Sequence, residues 1–166
     1  YKVAYYYQKA DNPNEYTVEY SESRTEKTDV EVSVTADDTG RTKGGTYLYD
    51  EGHEGEVLKG VVKADDSLVL VLYFKLNKST YTTYHYFEEL NGTYSLDDTK
   101  TTVVEATVGD EVTAEASPKT GFAQTEHNDQ ILSLTVKTNP DENIMKVYYS
   151  RNLYTVTFNK GEHGNL

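Results

Sequence analysis

The chain has no cysteine, no tryptophan and only three prolines among its 166 residues. Without a thiol it has no thiolate nucleophile, no thiolate metal ligand and no redox function. No apolar run approaches the ~18 residues that cross a bilayer, so we predict no membrane insertion. Basic residues are few: 16 Lys and Arg face 28 Asp and Glu, a net charge of −12. That balance argues against nucleic acid and against an anionic membrane surface as partners.

Motifs of enzyme active sites are also missing from the sequence. It has no Gly-x-Ser-x-Gly nucleophile motif and no glycine-rich loop that would cradle a phosphate. No two of the four histidines have the His-x-x-x-His spacing that is typical of a zinc site. They are scattered along the chain, at His53, His85, His127 and His163. We therefore predict no catalytic residue, no cofactor and no enzymatic activity.

What the chain does contain is a repeat. The segment Leu70–Asn77 recurs as Met145–Asn152, 75 residues later, and a tyrosine-led segment follows each copy, at Tyr81–Phe87 and at Tyr154–Phe158. Self-similarity at a fixed spacing is typical of tandem arrays. We predict a first β-rich repeat at residues 1–78, a second at 79–152, and the opening strand of a truncated third repeat at 153–166.

The residue pattern within each repeat is that of β-strands. Val30, Val32 and Val34 alternate with polar residues, and Tyr, Thr and Val, which suit a pleated surface, are plentiful. The segment Leu68–Leu76 is so uniformly apolar that we predict a central strand with no solvent-exposed face. A single helical turn is expected between Val34 and Thr46 or between Ala116 and Asp129. The predicted fold class is mainly β, α+β at most.

Three motifs resemble those of a known family. They are Tyr-x-Val-x-Tyr-Tyr at residues 1–6, Gly-Asp-Glu-Val-Thr at 109–113 followed by Thr120-Gly121-Phe122, and the closing strand at 66–74. The chain resembles the mucin-binding-protein (MucBP) repeats and internalin B-repeats of Gram-positive surface proteins. The resemblance implies two tandem, small β-grasp-like (ubiquitin-like) domains. It also implies an extracellular, cell-wall-attached parent protein that adheres to host mucin or glycoprotein, or holds an adhesin away from the cell.

The linkers between the predicted repeats are short and contain neither glycine nor proline. Such linkers favour a fixed angle between neighbouring repeats, so we predict a rod in which repeats of the same chain are each other's partners. The sequence shows no signal peptide and starts within a strand pattern. We therefore expect it to be a piece of a longer protein.

The 16 tyrosines supply the candidate binding residues. A tyrosine offers a broad, rigid contact surface with a polar tip, which suits glycan or glycoprotein recognition. The same rings can instead cover the core of a small sheet, which is the role expected of Tyr1, Tyr5 and Tyr7. The candidates for exposed, ligand-binding rings are Tyr6, Tyr47, Tyr49, Tyr84 and Tyr86. An alternative function is a dedicated carbohydrate-binding module with one tyrosine-lined glycan site.

An acidic loop raises the question of a metal. Asp50, Glu51 and Glu54 are closely spaced oxygen ligands of the kind that bind Ca²⁺, and they are weak calcium candidates. The loop does not match an EF-hand, and a solvated loop is the simpler interpretation. We predict no metal site.

Overall fold

The computed structural model describes residues 1–159 and 161 and is mainly β. Contacts divide it into two compact units. Unit 1 comprises residues 1–81, 104–112 and 135–143, and unit 2 comprises residues 82–103, 113–134 and those from 144 onward. The repeat boundaries predicted after residues 78 and 152 stay predictions.

The first half of the chain forms six strands and one helical turn. They are β1 (Lys2–Gln8), β2 (Tyr16–Ser23), β3 (Glu31–Ser33), α1 (Ala36–Thr39), β4 (Tyr47–Tyr49), β5 (Lys59–Val61) and β6 (Val69–Leu76). The main sheet has the order β2-β1-β6-β4, and β3 pairs with β5 in a separate ribbon. β1 and β6, the opening and closing strands, run parallel in its centre, as in a β-grasp fold.

The second half repeats this plan with seven strands. They are β7 (Lys78–Glu88), β8 (Tyr94–Leu96), β9 (Thr102–Thr107), β10 (Glu111–Thr113), β11 (Phe122–Thr125), β12 (Ser133–Thr135) and β13 (Ile144–Arg151). The sheet order is β11-β13-β7-β8, β9 also pairs with β7, and β10 pairs with β12. The opening and closing strands are again parallel and adjacent. The mainly β fold with β-grasp-like sheets is thus confirmed.

The helical turn predicted between Val34 and Thr46 is confirmed as α1. It forms because Thr35 and Asp38 make a capping box that satisfies the free backbone N–H groups of the first turn. Residues 116–129 contain no helix; the two short 3-10 turns of the described chain lie elsewhere, at Asp98–Lys100 and Pro140–Glu142. The described α-helical residues are those four of α1, far fewer than a bilayer span requires.

Two strand predictions need correction. β6 is central, but its faces differ: Leu70, Leu72 and Phe74 are fully buried, whereas Tyr73 on the other face is half-buried. Tyr154–Phe158 forms no strand in the described structure, where no neighbouring strand hydrogen-bonds to it, and Phe158 is 92% exposed. Of the predicted third repeat, residues 160 and 162–166 lie outside the described residues.

The inner face of each sheet carries the same aromatic core. In unit 1 the Tyr7 ring stacks on Phe74 at 4.9 Å between centroids, with Tyr47 edge-on and Lys43 above the Tyr7 ring. The corresponding group in unit 2 has the same geometry, with a stacking distance of 4.7 Å, and consists of Phe87, Tyr149, Phe122 and Lys119. In both cores a lysine ammonium thus lies over an aromatic ring, which is a favourable cation–π contact.

The polar groups beneath these cores differ between the units. In unit 1 the fully buried Asp38 accepts hydrogen bonds from Tyr5 Oη at 2.7 Å and from two nitrogens of Arg24 at 2.5 and 3.0 Å. In unit 2 His85 stands where Tyr5 stands in unit 1. Its Nδ1 lies 3.1 Å from Tyr149 Oη, which also accepts a hydrogen bond from the backbone N–H of Ser117.

The buried His85 predicts that unit 2 loses stability in mild acid. Burial, helped by the nearby Lys100 charge and opposed by Asp97, lowers the pKa of His85 from 6.5. Below about pH 6.5 the unfolded chain then binds a proton that the folded unit does not, so the free energy of unfolding falls with falling pH until the folded-state pKa is passed.

Urea titrations at several pH values, followed through amide NMR signals of β7 and β13, measure this effect. We expect the stability of unit 2 to decline below about pH 6.5. His85→Gln, which does not titrate, should flatten the decline between pH 6.5 and 5. The same change at the more exposed His53 serves as the control and should leave unit 2 unaffected. An unaltered slope in His85→Gln would contradict the prediction.

Candidate functional site

The outer face of each central strand pair carries a cluster of four rings. In β1 the inward positions are taken by Tyr5 and Tyr7, so Tyr6 points to the outer face, where it lies opposite Tyr73 of β6. Tyr86 of β7 and Tyr148 of β13 are paired in the same way. A tyrosine of the next strand completes each cluster, together with a histidine of the loop between β4 and β5 in the first and between β11 and β12 in the second. The first ring cluster consists of Tyr6, Tyr16, His53 and Tyr73, and the second of Tyr86, Tyr94, His127 and Tyr148.

The two clusters have nearly the same geometry. The histidine stacks on the closing-strand tyrosine, at 3.9 Å for His53 on Tyr73 and 3.8 Å for His127 on Tyr148. The opening-strand tyrosine stacks on that same ring, at 5.2 Å in the first cluster and 4.9 Å in the second. The remaining tyrosine is edge-on to it at 5.3 Å in both. The tyrosine–tyrosine contacts lie in the distance range that aromatic pairs prefer, and the histidine packs closely on the same ring, so each cluster is a preformed aromatic surface.

Each cluster is anchored by the hydroxyl of its edge-on tyrosine. Tyr16 Oη donates to Asp50 Oδ2 at 2.9 Å, and Lys75 Nζ donates to Asp50 Oδ1 at 2.7 Å. Burial and the Asp50 carboxylate raise the pKa of Tyr16 to about 12. Burial opposes ionisation of Asp50, but the bonds from Lys75 and Tyr16 outweigh it and lower the pKa of that carboxyl. In the second cluster Tyr94 Oη lies 2.8 Å from Ser150 Oγ, a neutral pairing.

The two histidines differ in their hydrogen bonds. His53 Nδ1 lies 2.7 Å from the carbonyl oxygen of Glu54, which can only accept, so the proton of the neutral ring is on Nδ1. His127 Nδ1 instead accepts a hydrogen bond from the backbone N–H of Asp129 at 3.1 Å, so its proton is on Nε2. The first ring therefore presents an acceptor at Nε2, and the second presents a donor.

The surroundings of the histidines differ as well. A shallow depression beside the second ring cluster is lined by Glu126, His127, Asn128 and Gln130. The side-chain oxygen of Gln130 is buried and has no hydrogen-bond partner among the described residues. In unit 1 the residue equivalent to Gln130 is Glu56, because Glu56 directly precedes Val57 and Gln130 directly precedes Ile131, and both of these following residues form an isolated β-bridge to the closing strand. The Glu56 carboxylate accepts hydrogen bonds from Tyr49 Oη and from the Gly52 N–H.

The tyrosines predicted from the sequence are not all in these clusters. Tyr6 and Tyr86 each lie in one. Tyr84 is half-buried on the same face of β7, two residues before Tyr86, and pairs in register with Lys146. Tyr47 and Tyr49 lie in β4, where Tyr47 packs edge-on against Tyr7 in the inner core. Ligand binding by any of the five stays a prediction.

The acidic loop does not assemble a metal site in the described residues, where no group of three or more His, Asp or Glu side chains is placed to hold an ion. Asp50 is paired with Lys75 and Tyr16, and Glu51 and Glu54 are exposed. Asp50 therefore positions the hydroxyl of Tyr16, from which it accepts a hydrogen bond.

Sequence reasoning missed six of the eight cluster residues and treated all histidines as scattered. The available clue was that a histidine precedes the closing-strand tyrosine by about the same distance in both copies: 20 residues from His53 to Tyr73 and 21 from His127 to Tyr148.

No protein-family model matches the chain, and no curated protein matches it. Among solved structures, the type 2 repeat of the mucus-binding protein MUB from Lactobacillus reuteri is similar, with 13% identity and a TM-score of 0.30. That likeness covers 91% of this chain and 99% of the repeat. The crystal structure of Mub-RV is similar at 15% identity and a TM-score of 0.28, over 92% of this chain and 99% of the Mub-RV chain. A repeat of a mucus-binding protein is thus among the solved structures to which the chain is similar.

Proposed function

We propose that the chain is a non-catalytic repeat module of an extracellular bacterial surface protein, where it serves as an adhesion surface for mucin or another host glycoprotein and as a spacer. One observation carries the proposal: a four-ring cluster of nearly the same geometry lies on the outer face of both units, and all its rings are partly exposed except Tyr148, which is buried. The two units have different polar groups on their inner faces, yet the outer rings keep one geometry. Rigid aromatic surfaces with polar tips suit recognition of glycans and proteins.

Several features support adhesion over catalysis. The rings lie on an open sheet face rather than in a cleft, and a shallow surface binds weakly. Weak binding is useful where a unit is repeated, because each further unit binds at a high effective concentration. Attachment of the parent protein to a cell wall, and an end-to-end rod of repeats, belong to the same proposal. Small-angle scattering of the chain measures its maximum dimension and tests the rod.

The adhesion proposal predicts weak binding that rises steeply with valency. The biotinylated chain, monomeric or displayed on streptavidin, is passed over a surface coated with purified mucin. We expect the displayed form to bind about a hundredfold more tightly than the monomer, since linked sites gain 10²–10⁴ in avidity.

Two controls accompany this experiment. A mucin surface whose glycans have been oxidised with periodate should lose most of the binding, and an albumin surface should show none. Absence of binding by the streptavidin-displayed chain would remove the adhesion role and leave only the spacer.

A further inference from the structure

We propose that the second ring cluster, together with the depression beside His127, binds a neutral sugar ring, and that the first ring cluster does not. This inference rests on the proposed adhesion function and specifies its ligand and its location. It is carried by three differences between two otherwise matching clusters: the free hydrogen-bonding groups, the tautomer of the histidine and the charge of the residue beside it.

The aromatic part of the site is His127 on Tyr148. The two rings are nearly parallel, with an interplanar angle of 9°, so Tyr148 holds the imidazole plane in a fixed orientation at the wall of the depression. The C–H face of a sugar ring packs against such planes by apolar contact. Because the plane is fixed before binding, little ordering entropy opposes the contact.

The polar part of the site matches sugar hydroxyls. Gln130 lines the depression, and its Oε1 is a buried acceptor with no partner among the described residues; rotation of the amide toward the depression would let a sugar hydroxyl donate to it. His127 Nε2 carries a proton and can donate to the oxygen of a neighbouring hydroxyl. Asn128 lines the same depression and adds an amide with both donors and an acceptor. A buried acceptor left unpaired is costly, and a bound hydroxyl would remove that cost.

The charges around the depression favour a neutral ligand. Glu126 lines it, and Asp129 Oδ2 lies 3.9 Å from His127 Nδ1. The whole chain carries a net charge of −12. A carboxylate or sulfate on the sugar would be repelled by the acidic residues at the depression and by the net negative charge of the chain, which disfavours binding.

The first ring cluster lacks this arrangement although its rings are the same. Glu56 stands in the place of Gln130, and its carboxylate is engaged by Tyr49 and by the Gly52 N–H. His53 donates its Nδ1–H to the carbonyl oxygen of Glu54. His53 Nε2 can therefore accept a hydrogen bond but cannot donate one, so the donor–acceptor pair of the second cluster is not reproduced in the described residues around His53. The first cluster is the internal control for the second.

The test is an NMR titration of the ¹⁵N-labelled chain. The probes are methyl β-galactopyranoside and methyl β-glucopyranoside, each with its 6-carboxylate analogue, so that each pair differs in charge at one position. We expect at least one neutral probe to shift the amide signals of residues 126–130 and 148 while those of 53–56 and 73 stay in place. The matching carboxylate should bind about tenfold more weakly or not at all.

Variants locate the binding groups. His127→Ala and Gln130→Ala should each weaken binding of the neutral probe about tenfold, the loss of one ring contact or one hydrogen bond. The matched variants His53→Ala and Glu56→Ala should leave the affinity of the second ring cluster for the neutral probe unchanged. Gln130→Ala keeps the backbone bond from Gln130 N–H to the His127 carbonyl, so it separates lost contact from lost folding.

Four outcomes decide the proposal. No amide shift with either neutral probe overturns it, and so do equal shifts in both clusters. Mucin binding that persists in His127→Ala and Gln130→Ala at wild-type strength overturns it while the adhesion function stands. Saccharide shifts confined to the second cluster, in a chain that does not bind mucin, support the site while the adhesion function fails.

Discussion

Replacing Arg24 with methionine is expected to lower the free energy of unfolding of unit 1 by about 3–5 kcal/mol, because it leaves a buried carboxylate without its cation. Asp38 is 0% exposed and accepts two hydrogen bonds from the guanidinium of Arg24. Burial raises the pKa of the Asp38 carboxyl, but the bonds from Arg24, the Thr35 N–H and Tyr5 outweigh burial and hold the pKa well below 3.8. The ionised form is therefore the folded form, and it depends on Arg24.

The matched control is Arg41→Met. Arg41 also donates to Glu22, at 2.9 Å, but does not donate to Asp38 and is more exposed. Its loss should cost about 1 kcal/mol, the sum of a surface ion pair and a ring contact with Tyr5. Urea denaturation followed through amide signals of β1 and β6 measures both. Equal effects of the two changes would show that Asp38 does not need its guanidinium.

The pH dependence of the same variants gives a second measurement. Because the folded-state pKa of Asp38 is depressed, its contribution to stability is present above about pH 3.9 and is lost as the pH falls below that value. In Arg24→Met the carboxyl takes up a proton more easily. We therefore expect the difference between Arg24→Met and the wild type to shrink as the pH falls below about 4.

Replacing Tyr149 with alanine is expected to lower the free energy of unfolding of unit 2 by about 3–5 kcal/mol, as large aromatic truncations in cores do. Tyr149 is 1% exposed, and its ring stacks on Phe87 at 4.7 Å with an interplanar angle of 9°. The truncation leaves a cavity in the core of unit 2, and it removes the hydrogen-bond partner of the Ser117 N–H and of His85 Nδ1.

Tyr149→Phe separates the ring from the hydroxyl. It keeps the stack but leaves the backbone N–H of Ser117 and Nδ1 of His85 without their partner, which should cost about 1–3 kcal/mol. Amide hydrogen exchange in β7 and β13 reports both losses. A phenylalanine variant as unstable as the alanine variant would mean that the hydroxyl, not the ring, holds the core.

The strands were predictable because their evidence is local. Alternation of tyrosine and valine over six residues determines which side of β1 is buried, and the repeat of that pattern identifies β7 without further information. The helical turn after Thr35 was predictable in the same way. The turn expected after Ala116 is missing because that segment has Pro118 in place of a capping residue such as Asp38.

The ring clusters were not predictable from one spacing, because their members come from different elements. Tyr6 and Tyr86 are 80 residues apart, Tyr16 and Tyr94 are 78 apart, and His53 and His127 are 74 apart. Loops of different length between the strands change the spacing at each step, so no single offset aligns all four rings. The prediction that β6 has no solvent-exposed face was wrong at Tyr73, which lies on the outer face of the sheet, where the rings of Tyr6, Tyr16 and His53 cover it only in part.

The exchange of Tyr5 in one copy for His85 in the other gives one polypeptide two acid thresholds. The first copy retains its buried carboxylate bond until strongly acidic conditions, whereas the imidazole of the second begins to favour unfolding near neutrality. A mildly acidic medium would thus destabilise unit 2 while unit 1 of the same chain stays folded.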